Sequence, residues 1–314
     1  MTSERIKVLY ISGWGRSGST ILSNILGQVD GFFPVGEIRF IWERNLLENR
    51  LCGCTAPFVE CLLWQEIFEK AFGGFEQVDC MRMALLCERL SRTRHVPRMI
   101  LGRKKMKSDP EVAEYLYHLE RLYSAIQSVT KCRVIVDSSK YPSYAAILDR
   151  LPNLNLYIIH LVRDPRAVSF SWGKKKRQPD SIKDEDMIQF SPFQSSMIWN
   201  TWNILTEVIW KEKPGKYLFL CYENFIAEPQ ESIRRILHFV QEDAERLPFV
   251  DEKRIHVSTN HTLSGNPVRF QKGVLSLKLD DEWRKKSKKT DNLLTTLLTW
   301  PLLLKYRNCS NPHS

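Results

Sequence analysis

"SGWGRSGST", Ser12–Thr20, follows the apolar run "IKVLYI" (Ile6–Ile11) and leads into "ILSNILGQV" (Ile21–Val29). A buried strand, a glycine-rich turn and a helix-forming segment therefore stand in direct succession, the helix being expected from about Ser17 to Gly27. The phosphate-binding loop of nucleotide enzymes reads G-x-x-x-x-G-K-[ST]. Gly13, Gly18 and Thr20 obey that pattern, and Ser19 stands where the lysine belongs. A helix N-terminus fed by such a turn presents unpaired N–H groups and a partial positive charge, which suits phosphate or sulfate. Arg16 adds a two-pronged donor, and Ser17, Ser19 and Thr20 add hydroxyls. The same residues would also serve a plain strand-to-helix turn that uses glycine for tight geometry.

Three further apolar runs, "CRVIVD", "LNLYIIHLV" and "KYLFLCY", are too continuous for half-exposed hairpins and read as buried parallel strands. Each leads into polar residues and then a helical pattern, such as "EPQESIRRILHFV" with Ile233, Ile236, Leu237 and Val240 at helical spacing. That alternation is the signature of an α/β domain with a parallel sheet. Between Arg39 and about Val129 the strand pattern gives way to helical periodicity, which predicts a helical insertion over the mouth of the sheet.

The chain has 314 residues, enough for a large core, and 46 Lys plus Arg against 36 Asp plus Glu give a formal charge of +10. That charge favours anionic partners without identifying one. The basic runs "GRKKMK" and "KKKR" (Lys174–Arg177) read first as solvated faces. With no signal-peptide pattern ahead of the first strand, a cytoplasmic protein is expected. The apolar stretch "LLTTLLTW", broken by Pro301 before "LLLKY", is too short to span a bilayer and reads as a docked or interfacial helix, which leaves room for peripheral membrane contact. Of eight cysteines, Cys52, Cys54 and Cys61 cluster in "LCGCTAPFVEC". They lack an evident fourth ligand, so reduced thiols are expected there, a local disulfide is the alternative, and no metal is assigned.

A second constellation, "LVRDPRAVSFSW", ends the third strand and puts Arg163 and Ser171 at the carboxyl edge of the sheet, where open α/β folds bind ligands. An arginine at a strand end and a serine two turns into the next helix can hold a second phosphate. One cradle plus one clip implies a nucleotide with phosphates at both ends of its ribose.

At this point the chain resembles the sulfotransferases that use 3′-phosphoadenosine 5′-phosphosulfate (PAPS). "GWGRSGST" is similar to their 5′-phosphosulfate loop and "LVRDPRAVSFSW" to their 3′-phosphate motif; "GEIRFIW", "LCGC", "VDSSK", "CYENF" and "SGNPVRF" carry the likeness along most of the chain. The resemblance implies an α/β fold in a single domain over residues 1–306, with a central parallel sheet, a P-loop-like 5′-phosphosulfate loop, helices on both faces, a helical insertion at about 39–129 and a tail at 307–314. It implies PAPS as donor, no metal, and a hydroxyl or amine acceptor that is a glycan, lipid or small metabolite.

On that likeness the donor contacts are Gly15, Arg16, Ser17, Gly18, Ser19, Thr20, Arg163, Ser171, Tyr222 of "CYENF" and, from a late basic loop closing over the 3′-phosphate, Arg269. Arg16 and Lys140 of "VDSSK" would stabilise charge at the transferring group. Glu37, which follows the first helix at about the distance that returns the chain to the mouth of the sheet, would be the general base; its alternative is a carboxylate paired with Arg39 or Arg16. Other expectations are a P-loop kinase or NTPase, with Asp137 and Asp164 as candidate metal-binding acids, and a non-catalytic anion- or nucleic-acid-binding module. No nucleic-acid motif accompanies the charge, so nucleic acid is not expected as a partner. His160, His256 and His261 show no metal spacing and read as structural, and Trp199, Trp202 and Trp210 read as core rather than a sugar platform.

Overall fold

A computed structural model of the chain describes residues 5–93, 109–181 and 185–306. The run "GRKKMK" and the tail from 307 lie outside the described residues.

All four expected strands are present: β1 (Ile6–Ser12), β3 (Val134–Lys140), β4 (Leu154–Val162) and β5 (Tyr217–Cys221). A fifth, β2 (Phe32–Gly36), joins them in a wholly parallel sheet of order β2-β3-β1-β4-β5. β2 escapes a pattern search because it is short and carries Pro34, which cannot donate to a ladder. It is an edge strand, where that loss is tolerated. A separate antiparallel ribbon pairs β6 (Arg254–Val257) with β7 (Gly273–Ser276).

The strand runs are apolar throughout because both faces are covered. Val8, Tyr10, Ile135, Leu156 and Ile158 face one core, shared with α2 (Leu62–Phe72), α3 (Cys80–Leu90), α4 (Pro110–Thr130) and α5 (Pro142–Leu148). Leu9, Ile11, Val136, Ile159 and Leu161 face the other, with α1 (Ser19–Leu26), α8 (Tyr222–Ala227) and α9 (Pro229–Phe239). At tens of cal/mol per Å² of apolar surface removed from water, these two cores are the main source of stability. The helices between Arg39 and Val129 thus build a layer on one face of the sheet, while the turn at Ile38–Phe40 and the loop around Cys52 reach its mouth.

Strand order also marks one end of the sheet. The chain passes from β1 to β2 with α1 on one face, and from β3 across β1 to β4 with α5 on the other, so the connections diverge at the carboxyl end of β1. Ligand sites of open α/β sheets form at such a divergence. A third apolar cluster closes this end, joining Trp14, Val168 of α6 (Pro165–Gly173), and Trp199 and Trp202 of α7 (Pro192–Trp210). Trp199, Trp202 and Trp210 are buried, as core residues should be.

After the short helix α10 (Glu282–Lys286), α11 (Lys289–Lys305) contains Pro301 and packs on α6 and α7, where Asn200 donates to the Leu298 carbonyl at 2.8 Å. Among the described residues no helix is long and apolar enough to cross a membrane.

Candidate active site

The loop after β1 has an unusual backbone. Arg16 (φ 68°) and Gly18 (φ 88°) both lie in the left-handed region, so residues 16–18 belong to the turn and α1 begins at Ser19, two residues later than the periodicity suggested. A Cβ at Gly18 would stand 2.4 Å from the Tyr222 ring, which leaves glycine as the residue that fits. The N-cap of α1 is Gly18, which has no side chain to cap the helix, and among the described residues no side chain accepts from the N–H groups of its first turn. Ser17 is 2 % exposed, and its Oγ, like the Nε of Arg16, is buried without a partner. Buried orphan donors are costly unless a ligand completes them, and both belong to the loop that an anion would enter. These residues fit a phosphosulfate.

Aromatic packing fixes the loop from outside. Trp14 stacks on Trp172 with centroids 4.9 Å apart, and Trp172 donates its indole N–H to the Gly15 carbonyl at 3.2 Å. The same indole lies under Arg16, whose guanidinium carbon is 4.6 Å from the ring centroid. Burial lowers the pKa of Arg16. Trp172 was inside the quoted motif, but its part in holding Arg16 has no signal in a one-dimensional pattern.

Arg163 meets this loop directly. Its Nη1 donates to the Arg16 carbonyl at 3.1 Å, and its guanidinium lies 4.5 Å over the Tyr222 ring, the ring that flanks Gly18. The second Nη is held by the carbonyl of Asp280 at 2.9 Å and by its carboxylate at 3.1 Å. Ser171 is buried two turns into α6, a helix capped by Asp164, which accepts from the Arg166 N–H at 2.9 Å. Asp280 gave no signal in the sequence.

Glu37 and Lys140 occupy the ends of β2 and β3 and form an ion pair, Nζ to Oε1. The carboxylate thus has a partner other than the expected Arg39 or Arg16. Arg39 instead donates through its guanidinium to Ser91 Oγ at 3.0 Å, and its backbone N–H donates to Ser139 Oγ at 3.1 Å. Glu37 is 8 % exposed, and its backbone N–H donates to the Leu263 carbonyl at 2.7 Å. Lys140 sits at a left-handed φ of 73° where the β1–β3 register shifts, which turns its ammonium back over the strand end to the Ser138 carbonyl at 3.2 Å. Burial lowers its pKa and the Glu37 carboxylate opposes that shift.

The late loop lands on this pair. The Asn266 N–H approaches Thr20 Oγ1 at 3.5 Å, and a Cβ at Gly265 would lie 3.1 Å from Glu37 Oε1. Arg269 is not offered to the mouth of the sheet there. It is 1 % exposed, and its Nη atoms donate to the Leu51 carbonyl at 2.8 Å, to Asp180 Oδ2 at 3.0 Å and to the Thr262 carbonyl. Its basic residue type suggested an anion contact; a buried carboxylate from a distant loop claims it first.

The two candidate metal acids are likewise committed. Asp137 accepts from Ser139 N–H at 2.8 Å, Ser139 O–H at 2.6 Å and Tyr123 O–H at 2.6 Å; burial raises its pKa to about 6. Asp164 caps α6 and pairs with Arg166. His160 is a satisfied core residue, with Tyr217 O–H 2.7 Å from Nδ1 and Asn203 Oδ1 2.8 Å from Nε2.

His261 departs from expectation. Its Nδ1 lies 3.3 Å from Cys61 Sγ and 3.8 Å from Cys52 Sγ, so the cysteine cluster does have a fourth candidate ligand, brought from 200 residues away. Cys52, Cys54 and Cys61 are free thiols.

The model of the sulfotransferase domain family matches residues 7–291. Among solved structures, the sulfotransferase domain from the Synechococcus PCC 7002 olefin synthase is similar with a TM-score of 0.50 at 18% identity, covering 95% of each chain. The sulfotransferase domain from the curacin biosynthetic pathway gives a TM-score of 0.49 at 16% identity, covering 94% of this chain and 98% of its own. At such identities the first likeness bears on the fold alone. No curated protein sequence matches the chain significantly.

Proposed function

The chain belongs to the sulfotransferase domain family and is a PAPS-dependent sulfotransferase; from that premise we propose how its own residues bind the donor and move the sulfuryl group. The 5′ end lies on the free N-terminus of α1, with Arg16, Ser17, Ser19 and Thr20 as donors around Gly15 and Gly18. The 3′-phosphate is held by Ser171 and by Arg163, which exchanges the half-exposed Asp280 carboxylate for it, with Tyr222 as the wall between the two ends. The observation that supports this reading is the hydrogen bond from Arg163 to the Arg16 carbonyl at 3.1 Å, because it joins the two segments proposed to hold the anions. Arg269, held by Asp180, keeps a supporting place behind the late loop.

Bound PAPS supplies an activated sulfuryl group whose leaving group is 3′,5′-adenosine bisphosphate. Glu37 takes the proton of an acceptor hydroxyl or amine as the new bond to sulfur forms in line with the one that breaks. A base so placed contributes roughly 10²- to 10⁴-fold. Lys140 starts on Glu37; as the carboxylate is neutralised by the incoming proton, the ammonium is released toward the oxygen that gains charge. Proton capture and charge stabilisation are thereby exchanged across one ion pair. The acceptor enters beside Phe40 and Tyr141, whose rings meet edge to face at 5.9 Å, with Arg39 over Tyr141. A carbohydrate, lipid or metabolite hydroxyl suits an aromatic wall with a cation behind it.

The test is transfer of labelled sulfate from PAPS to a panel of glycan, lipid and small-metabolite acceptors, with and without magnesium. Metal-independent transfer, inhibited by 3′,5′-adenosine bisphosphate, is the expected result. Magnesium-dependent binding of ATP with no PAPS binding would restore the kinase reading.

A further inference from the structure

We propose that Cys52, Cys54, Cys61 and His261 form a structural zinc site that clasps the loop before α2 to the segment carrying Leu263, next to the Glu37 ion pair. The four candidate ligand atoms all lie within 4.8 Å of one another. Three of their separations are those of a tetrahedral zinc site. Zn–S bonds of about 2.3 Å at tetrahedral angles put two sulfurs roughly 3.8 Å apart, and a shorter Zn–N bond brings a nitrogen slightly nearer. Observed separations are 3.7 Å between the Sγ atoms of Cys54 and Cys61, 3.3 Å from Cys61 Sγ to His261 Nδ1, and 3.8 Å from Cys52 Sγ to the same nitrogen. Three sulfurs and an imidazole nitrogen converge where a disulfide would need only two sulfurs.

The surrounding backbone is built to hold that convergence. Cys52 N–H donates to the Ala56 carbonyl at 2.8 Å and Thr55 N–H to the Cys52 carbonyl at 2.8 Å, closing a tight turn that carries Cys52 and Cys54 together. Cys61 stands at the start of α2, and one turn on, Trp64 donates its indole N–H to the His261 carbonyl at 2.9 Å. Gly53 N–H donates to the Thr262 carbonyl at 2.9 Å, and a Cβ at Gly53 would come 2.1 Å from Asn260 Oδ1, so glycine is what lets the loops approach. Asn260 in turn accepts from Thr262 and donates to the Arg269 carbonyl at 2.9 Å, which fixes the chain on either side of His261.

Soft thiolates with one imidazole select zinc among common cellular divalent ions, and four protein ligands with no open position mark a structural role rather than a catalytic one. Binding is balanced as Zn²⁺ plus three thiols and a neutral imidazole giving a complex of charge −1, with three protons passing to solvent. The consequence reaches the active site through two hydrogen bonds: Leu263, two residues beyond His261, donates to the Val35 carbonyl at 3.0 Å and accepts from Glu37 N–H at 2.7 Å.

The full chain, prepared under reducing conditions without chelator, is expected to carry one equivalent of zinc by elemental analysis. Its cobalt-substituted form should show the thiolate-to-metal charge transfer and intense ligand-field bands of a tetrahedral site. Cys61→Ser and His261→Ala should each lose the metal or hold it at least 10-fold more weakly, while Cys132→Ser keeps one equivalent. Because the ligand variants could misfold, the deciding measurement is on the wild-type chain: folded and fully reduced, it should take up one Zn²⁺ and gain thermal stability that rises with the logarithm of free zinc. Failure to take up stoichiometric Zn²⁺ in that state, or a Cys54–Cys61 disulfide found by mass spectrometry in the chain as purified, overturns the proposal.

Discussion

Glu37 and Lys140, at the carboxyl ends of adjacent strands, neutralise each other across the mouth of the sheet. Both are largely buried, so removing one leaves the other uncompensated in a poor solvent for charge. Glu37→Gln keeps the shape and is expected to lower kcat by roughly 10²- to 10⁴-fold while 3′,5′-adenosine bisphosphate still binds by calorimetry. Full turnover in Glu37→Gln would remove it from the base role.

Lys140 should reveal itself in the pH profile. In the proposed role its charged form is the active one, and burial lowers its pKa from the ordinary lysine value of 10.5. Activity is therefore complete below the shifted pKa and lost as pH rises through it, placing the alkaline limb of kcat/KM below the usual lysine range. Lys140→Arg should push that limb upward; a limb that does not move would assign the titration to another group.

Arg163→Ala is expected to weaken 3′,5′-adenosine bisphosphate roughly 10- to 100-fold, the range for a charge-assisted bond. Adenosine 5′-phosphosulfate, which lacks the 3′-phosphate, should lose much less. Equal losses for both ligands would place Arg163 at the 5′ end or in the scaffold.

Gly18→Ala should disrupt the loop, since the added methyl meets the Tyr222 ring and the backbone is left-handed there. Strain of that kind costs of order 1–3 kcal/mol. Gly173→Ala, where an added Cβ meets nothing within 4 Å, is the paired control by thermal melting and donor affinity.

Glu223 offers a stability test independent of chemistry. Its carboxyl accepts from the Asp164 N–H at 3.0 Å, and burial raises its pKa from 4.5 to about 7. The folded state therefore holds this proton more tightly than the unfolded chain, and stability falls as pH rises from about 4.5 to about 7. Glu223→Gln should remove that slope and be the more stable form above neutrality, by up to roughly 3 kcal/mol. Urea denaturation at pH 5 and pH 8 compares them; an unchanged pH slope in the variant would show that other groups carry it.

Contiguous stretches determined what depends on neighbours along the chain. A buried strand running into Gly13–Thr20 dictates a glycine turn into a helix, and the continuous apolar runs dictate strands covered on both faces, so the α/β class and the first strand-turn-helix unit were legible in one dimension. Short β2 was not, because an edge strand with a proline lacks the pattern of a central one. Arg269 kept the right charge and lost its expected exposure to Asp180. The Glu37–Lys140 pair and the meeting of His261 with Cys61 required the folded chain, since strand order and loop closure choose partners whose separation in sequence carries no periodic signal. Local sequence sets backbone geometry through sterics and turn chemistry, whereas which charges and ligands face one another is settled by packing between distant segments.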